Sequence, residues 1–124
     1  MAKILIIEDD EMLVRMYTQL LITKQYQVVT ARDGRSGLAL VLSEKPDLIL
    51  LDIMLPGGMN GFDVLEDLKR TRETHSIPVI VLTNIDSEEK IARDIGAVSY
   101  LVKANNPPDK VLEKITALLD TKHT

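Results

Sequence analysis

Short apolar segments alternate strictly with stretches of helical periodicity, and this alternation constrains the fold more than any other feature. The apolar segments cover residues 4–7, 27–31, 48–51, 78–82 and 99–102. A strand that is apolar throughout, as in residues 4–7 and 48–51, is typical of a parallel sheet covered on both faces. Five strand–helix units in strict alternation therefore predict an α/β fold with a doubly wound, five-stranded parallel sheet between two helical layers.

The stretches between the strands predict five helices. Their periodic residues span 12–24, 36–42, 61–70, 86–95 and about 107–119. The fourth helix is expected to start with a capping box formed by Asp86 and Glu89, and to stop at Gly96. The fifth is expected to start at the Pro107–Pro108 pair. The second strand is half polar, which favours a position near a sheet edge.

Composition narrows the functional classes. A chain of 124 residues suits one domain, residues 1–124, and 45% hydrophobic content is enough for a real core. The chain has no cysteine, which excludes disulfides and thiolate metal sites. The net charge is −4 and no basic stripe stands out, which argues against direct nucleic-acid binding. No segment reads as a signal peptide or a membrane span, so we expect a cytoplasmic protein without membrane contact.

Polar residues follow four of the five predicted strands. Glu8 and Asp9 follow the first strand, Asp52 the third, Thr83 the fourth and Lys103 the fifth. Because the carboxyl ends of parallel strands meet at one edge of a doubly wound sheet, we expect these side chains to lie together. The sequence therefore predicts a site at this edge.

Each of these residues also has an ordinary structural interpretation. The acids after the first strand could have no role beyond capping a helix. Thr83 could likewise be an N-cap, and the Lys103 side chain could be solvated. Asp52 fits neither role well, since no helical pattern starts for several residues after it. Clustered carboxylates favour a hard cation such as Mg²⁺, and Lys103 and Thr83 could bind phosphate oxygens. Together these residues indicate a phosphoryl-transfer site with Asp52 as nucleophile.

Four segments carry a resemblance to a known family. KILIIEDDE, LILLDIMLPG, VIVLTN and YLVK, in this order and at these spacings, resemble the response-regulator receiver domains of bacterial two-component signalling. The likeness covers essentially the whole chain and implies a (βα)₅ flavodoxin-like fold. It also implies Glu8 and Asp9 as metal ligands, and Asp52 as the phosphoacceptor.

The resemblance implies further roles. The backbone carbonyl of Met54 would bind the metal, Mg²⁺ or Mn²⁺, and Thr83 and Lys103 would contact the phosphoryl group. The donor would be a phosphohistidine of a sensor histidine kinase or phosphotransfer protein. Thr83 would then move, Tyr100 would swing inward, and the face of the fourth helix, fifth strand and fifth helix would address an effector or output domain. A phosphorylation-dependent homodimer is also implied as possible. The chain would not be an enzyme beyond its own phosphotransfer and autodephosphorylation.

The sequence departs from the usual family pattern at three places. The loop after Asp52 has one extra residue, in the Gly57–Gly58 pair. Asn84 follows Thr83 where the family often has Ala or Gly, which could restrict access to the phosphoryl group. Ala104 follows Lys103 where proline is common and the peptide bond is cis, so this junction is expected to be strained or trans.

Rival functions remain open from the residues. A Mg²⁺-dependent aspartyl phosphatase of the haloacid-dehalogenase type would carry a second Asp where this chain has Met54. A nucleotide-binding fold would need a glycine-rich turn where this chain has Glu8 and Asp9. A pseudo-receiver, an interaction module that takes no phosphate, would not be expected to keep the full set of polar residues.

Overall fold

The structure is a computed structural model that describes the backbone of residues 1–122 and the side chains of residues 1–120. The last two residues of the predicted 1–124 domain lie outside this range. The strands are β1 (Lys3–Ile7), β2 (Gln27–Ala31), β3 (Leu48–Leu51), β4 (Val79–Thr83) and β5 (Ser99–Val102). The α-helices are α1 (Glu11–Thr23), α2 (Gly34–Glu44), α3 (Gly61–Arg70), α4 (Glu89–Ile95) and α5 (Pro108–Lys122).

The strands form one parallel sheet in the order β2-β1-β3-β4-β5. The predicted fold class is therefore confirmed, and β2 lies at an edge as its half-polar sequence predicted. Two apolar clusters cover the two faces of the sheet. Tyr17 of α1 and Ile115 of α5 belong to one cluster, and Val41, Leu65 and Ala92 of α2, α3 and α4 belong to the other. The sheet thus lies between two layers of helices.

Local sequence explains where α3 and α5 begin. The Asn60 side chain accepts a hydrogen bond from the Asp63 N–H, and the Asp63 carboxylate accepts one from the Asn60 N–H. This reciprocal pair is the capping box of α3. The α5 helix begins at Pro108, as predicted, because a proline in the first turn loses no helical hydrogen bond.

The predicted start of α4 is wrong. The helix begins at Glu89, three residues after Asp86, and the expected capping box is absent. The preceding segment forms a non-helical turn, and the Tyr100 hydroxyl donates to the Ile85 carbonyl at its beginning. The Glu89 carboxylate, which the capping box requires, accepts a hydrogen bond from Arg93 instead. The local capping signal therefore does not decide where this helix begins.

The register of the sheet brings the strand ends together. Ile7 of β1 pairs with Leu51 of β3, and Leu51 pairs with Val81 of β4. All four residues of β3 are buried, and the Asp52 N–H donates to the Ile7 carbonyl at 3.0 Å. The residues that follow these strands therefore share one edge. None of the helices in residues 1–122 combines the length and the hydropathy that a membrane span needs.

Candidate functional site

Three carboxylates from two adjacent strands converge at the carboxyl edge of the sheet. Glu8 and Asp9 follow β1, Asp52 follows β3, and one oxygen of each lies within 4.8 Å of the others. Glu8 is 3% exposed and Asp52 is 5% exposed, whereas Asp9 is exposed to solvent. The prediction that these three side chains lie together is therefore confirmed.

Lys103, which follows β5, is the positive group of this cluster. Its Nζ lies 2.8 Å from Glu8 Oε1 and 3.1 Å from Asp52 Oδ2. The ordinary interpretation of Lys103 as a solvated side chain is therefore wrong. Three carboxylates and one ammonium leave a formal charge of −2, which a divalent cation would neutralise. The all-oxygen donor set fits Mg²⁺ or Mn²⁺, and each carboxylate oxygen keeps a second lone pair for a metal.

Burial and charge perturb the ionisation of the cluster. Desolvation of the buried Glu8 carboxylate raises its pKa to about 7, and the neighbouring charge of Asp52 adds to this effect. The hydrogen bond from Lys103 acts in the opposite direction without cancelling the rise. Burial lowers the pKa of Lys103, but its bonds to Glu8 and Asp52 outweigh that effect and the pKa is raised. The lysine therefore stays charged at neutral pH.

The position of Asp52 is fixed by local contacts. Its Oδ1 accepts a hydrogen bond from the Met54 N–H at 3.2 Å, while its Oδ2 is bound by Lys103. Its backbone lies against the first residue of α3. A Cβ at Gly61 would stand 2.3 Å from the Asp52 carbonyl oxygen and 2.5 Å from the Ile53 Cα. Only glycine at position 61 allows this approach.

Asp10 separates the two interpretations of the acidic run. Its side chain accepts hydrogen bonds from the N–H groups of Met12 and Leu13, so it is the N-cap of α1. Its own N–H donates to Glu8 Oε2 at 3.1 Å, which holds that carboxylate toward the site. The capping interpretation is therefore correct for Asp10, while Glu8 and Asp9 remain for the cluster.

Thr83 is the last residue of β4 and Tyr100 lies on β5, and both residues contact Ile85 in the segment before α4. Thr83 is fully buried, and its Oγ1 accepts a weak hydrogen bond from the Ile85 N–H at 3.4 Å. Tyr100 is 6% exposed and its hydroxyl donates to the Ile85 carbonyl. The structure therefore places Tyr100 in the inward position, and both residues contact the same segment before α4.

An open cleft of about 680 Å³ gives access to Asp52. Its walls come from the β1–α1, β3–α3 and β4–α4 connections and from Lys103. Asn84, which departs from the family pattern, is one of the wall residues, and so is Met54, whose side chain is 59% exposed. The extra glycine lies just outside this wall, where Gly57 and Gly58 both take positive φ angles, +88° and +81°. Two consecutive residues with positive φ angles favour glycine strongly, because glycine has no Cβ.

The peptide bond between Lys103 and Ala104 is trans, which is one of the two alternatives expected from the sequence. No peptide bond in residues 1–122 is cis. Lys103–Asn105 form a 3₁₀ turn, and the Asn106 side chain donates to the Val102 carbonyl at 3.0 Å. A short helical turn and a side-chain bond therefore shape the loop where the family often has proline.

Sequence reasoning missed two residues that build the site. Gly61 allows α3 to contact the Asp52 backbone, and Asn60 caps that helix at the wall of the cleft. The Asn-x-x-Asp spacing at residues 60–63 was a usable signal for the cap. No local signal could have revealed the contact between Gly61 and Asp52, because it depends on tertiary packing.

Comparison with known proteins agrees with this geometry. Residues 4–116 match the family model of the response regulator receiver domain. The chain is 40% identical to protein PilH of Pseudomonas aeruginosa over 96% of this chain and 98% of that protein. It is also 40% identical to the transcriptional regulatory protein CpxR of Klebsiella pneumoniae, over 99% of this chain but 51% of CpxR.

A solved structure shows the same similarity at the level of the fold. The Mn²⁺-bound form of response regulator Rcp1 superposes with a TM-score of 0.77 at 30% identity, covering 89% of this chain and 86% of that one. The chain spans nearly the full length of PilH and about half the length of CpxR. With a family model matched over residues 4–116, this chain belongs to the response regulator receiver domain family.

Proposed function

We propose that Asp52 accepts a phosphoryl group from a phosphohistidine in a reaction that depends on Mg²⁺ or Mn²⁺. The observation that carries the proposal is the position of Asp52, which lies at the base of an open cleft and is bound by Lys103 beside Glu8 and Asp9. Membership of the receiver family supports the same assignment.

The metal would be held by the carboxylates of Glu8, Asp9 and Asp52 and by the backbone carbonyl of Met54. When bound, a divalent cation neutralises charge on the transferring phosphoryl group. The donor set supports this part of the proposal, because its formal charge of −2 matches one divalent ion. The Mn²⁺-bound form of the similar protein Rcp1 supports it further.

The transfer step requires little covalent chemistry from the chain. A carboxylate oxygen of Asp52 attacks phosphorus, the P–O bond forms, and the P–N bond to the donor histidine breaks. The electron pair of that bond leaves with the imidazole, which then takes up a proton. Lys103 and the Thr83 hydroxyl would bind phosphoryl oxygens, since an ammonium and a hydroxyl both donate to them. We propose that the chain acts as a phosphoacceptor and catalyses only its own phosphorylation and dephosphorylation.

Phosphorylation would change the surface through Thr83 and Tyr100. The phosphoryl group adds roughly −1.5 to −2 charges and strong acceptor oxygens at Asp52. Thr83 would be drawn toward it, and the inward position of Tyr100 would become more populated. The face formed by α4, β5 and α5 would then address an effector, an output domain or a second copy. The donor would be a sensor histidine kinase or a phosphotransfer protein.

The proposal is tested with a small phosphodonor. The protein is incubated with acetyl phosphate and Mg²⁺, and the intact mass is measured over time. We expect a gain of one phosphoryl group that EDTA prevents and that hydroxylamine removes, because hydroxylamine cleaves acyl phosphates. Asp52→Asn should abolish the gain.

A control variant tests whether the loss of any exposed carboxylate has the same effect. Asp120 is exposed near the end of α5 and does not line the cleft, so Asp120→Asn should be phosphorylated like the parent. No mass gain with acetyl phosphate, together with no Mg²⁺ binding by isothermal titration calorimetry, would refute the proposal and favour a pseudo-receiver. Rapid release of phosphate from added phosphomonoesters would favour the phosphatase alternative instead.

A further inference from the structure

Lys103 lies just outside the part of β5 that the sheet holds in place. Thr83 and Val102 form the last pair of the β4–β5 ladder, so the pairing of the strands ends one residue before Lys103. Its Nζ nevertheless lies 2.8 Å from Glu8 Oε1 and 3.1 Å from Asp52 Oδ2. A lysine carries its charge on a flexible four-carbon stem, so its backbone has to be placed accurately for both contacts to form.

The two residues that follow Lys103 offer little restraint. Ala104 and Asn105 are exposed, and the Asn105 side chain makes no hydrogen bond within the described part of the chain. Because Ala104 stands where the family often has proline, no ring fixes the backbone at this position. The single 3₁₀ turn over Lys103–Asn105 has poorer hydrogen-bond geometry than an α-helix. A further restraint on the Lys103 backbone is therefore needed.

The Asn106 side chain provides this restraint. Its Nδ2 donates to the Val102 carbonyl at 3.0 Å, and the bond spans the whole turn. A carbonyl oxygen only accepts, so the NH₂ end of the Asn106 amide must face it. The Val102 carbonyl and the Lys103 N–H belong to the same peptide plane, which is rigid. Fixing this carbonyl therefore fixes the direction in which the chain enters Lys103.

The backbone of Asn106 is itself fixed by the residues that follow it. Pro107 restricts the residue before it to extended conformations, and Asn106 has φ −131° and ψ 95°. The Pro107 carbonyl accepts hydrogen bonds from the Lys110 and Val111 N–H groups, at 2.9 and 3.3 Å, at the start of α5. Asn106 therefore connects the end of β5 to the start of α5.

We propose that Asn106 is a positioning residue for phosphoryl transfer, because it holds the Lys103 ammonium where it contacts Glu8 and Asp52 and can bind a phosphoryl oxygen. Asn106 does not line the cleft, so it acts through Lys103 and does not contact the phosphoryl group. For the reaction, the proposal rests on the proposed function. The restraint on Lys103 itself requires no phosphoryl group and is measured separately.

The first test measures the mobility of the Lys103 side chain. In Asn106→Ala, the donor that fixes the peptide plane before Lys103 is lost. We therefore expect the NMR order parameter of Lys103 Cε, from ¹³C relaxation in metal-free buffer, to fall toward that of the exposed Lys110. Circular dichroism and the urea unfolding midpoint establish that the variant is folded.

The second test measures the reaction with acetyl phosphate and Mg²⁺ by intact mass. The phosphorylation rate of Asn106→Ala should fall by roughly threefold to tenfold, less than the hundredfold that a displacement of about 1 Å can cost. An unchanged rate, despite greater mobility of Lys103, would overturn the role of Asn106 in the reaction.

Asn105→Ala is the matched control, because Asn105 lies in the same turn and its side chain is exposed. The Lys103 order parameter and the phosphorylation rate of this variant should equal those of the parent. The restraint is refuted if the order parameter is unchanged in Asn106→Ala, or if it falls equally in Asn105→Ala. If the parent takes up no phosphoryl group, the proposed function fails, while the order parameters still decide whether Asn106 restrains Lys103.

Discussion

Glu8 combines burial with two charged neighbours, and its protonation follows from that position. Its pKa is raised from 4.5 to about 7, chiefly by desolvation. Between these values the folded protein keeps the Glu8 proton while the unfolded chain has lost it. In metal-free buffer the free energy of unfolding should therefore fall as the pH rises from about 4.5 to 7, by roughly 1 to 3 kcal/mol. Urea unfolding followed by circular dichroism measures this slope.

Glu8→Gln removes the titrating group and should flatten the slope. Glu113→Gln, an exposed carboxyl on α5, should leave it unchanged. A slope of the same size in Glu8→Gln would show that another group causes the dependence.

Lys103 compensates the charge of the carboxylate cluster, because its ammonium pairs with both Glu8 and Asp52. Lys103→Met should lower the free energy of unfolding in metal-free buffer by about 1 to 3 kcal/mol. The loss would be larger if both carboxylates stayed charged, but Glu8 can take up a proton when its partner is removed. Mg²⁺ should then stabilise the variant more than the parent. Thermal unfolding with and without Mg²⁺ measures both effects.

The exposed Lys110 provides the comparison for this variant. Lys110→Met should change neither the stability nor the response to Mg²⁺. Equal stability of Lys103→Met and the parent in EDTA would contradict the role assigned to Lys103.

At the level of elements, α3 positions Asp52 through backbone contact. Gly61→Ala should lower the free energy of unfolding by about 1–3 kcal/mol, because the added Cβ would meet the Asp52 carbonyl and force the backbone apart. Alanine's better helix propensity, worth about 1 kcal/mol, offsets only part of this cost. Phosphorylation by acetyl phosphate should also slow, since Asp52 moves. Urea unfolding and intact-mass kinetics give the two results.

Gly58→Ala separates conformational strain from steric contact. Within the described residues, no heavy atom lies within 4 Å of its added Cβ, although its φ is +81°. It should cost about 1–2 kcal/mol from backbone conformation alone and leave phosphorylation unchanged. Equal phosphorylation rates in Gly61→Ala and Gly58→Ala would contradict the contact argument.

For some helices, local sequence patterns are sufficient to explain where the helix begins. The caps at Asn60 and Asp10 and the start at Pro108 depend on residues within four positions of each other, and the side chains present there explain them. The start of α4 has an equally clear local pattern at Asp86, yet the helix begins three residues later, and the Glu89 carboxylate that the capping box needs pairs with Arg93.

At the level of the whole molecule, the site exists only when four strands, β1, β3, β4 and β5, are assembled. Glu8, Asp52 and Lys103 follow β1, β3 and β5, which come together through the sheet. Mg²⁺ should therefore bind the folded chain and not the unfolded one. The free energy of unfolding should rise with Mg²⁺ concentration as RT ln(1 + [Mg²⁺]/Kd), about 2.7 kcal/mol at a hundredfold excess over Kd. Urea unfolding at several Mg²⁺ concentrations measures this.

The combined variant Glu8→Gln, Asp9→Asn should lose the stabilisation by Mg²⁺. A variant that is still stabilised to the same extent would place the metal elsewhere. Ca²⁺ and Na⁺ at matched ionic strength distinguish specific binding from general screening.

The fold class, the edge position of β2 and the residues that gather at the carboxyl edge could all be predicted from the sequence. These follow from hydrophobic periodicity and strict alternation, which depend on neighbouring residues and on the chirality of parallel crossovers. The bridge from Lys103 to Glu8 and Asp52 and the contact of Gly61 with the Asp52 backbone became visible only in the folded structure. Each is a contact between segments that are not neighbours in sequence, and local propensity carries no information about such contacts.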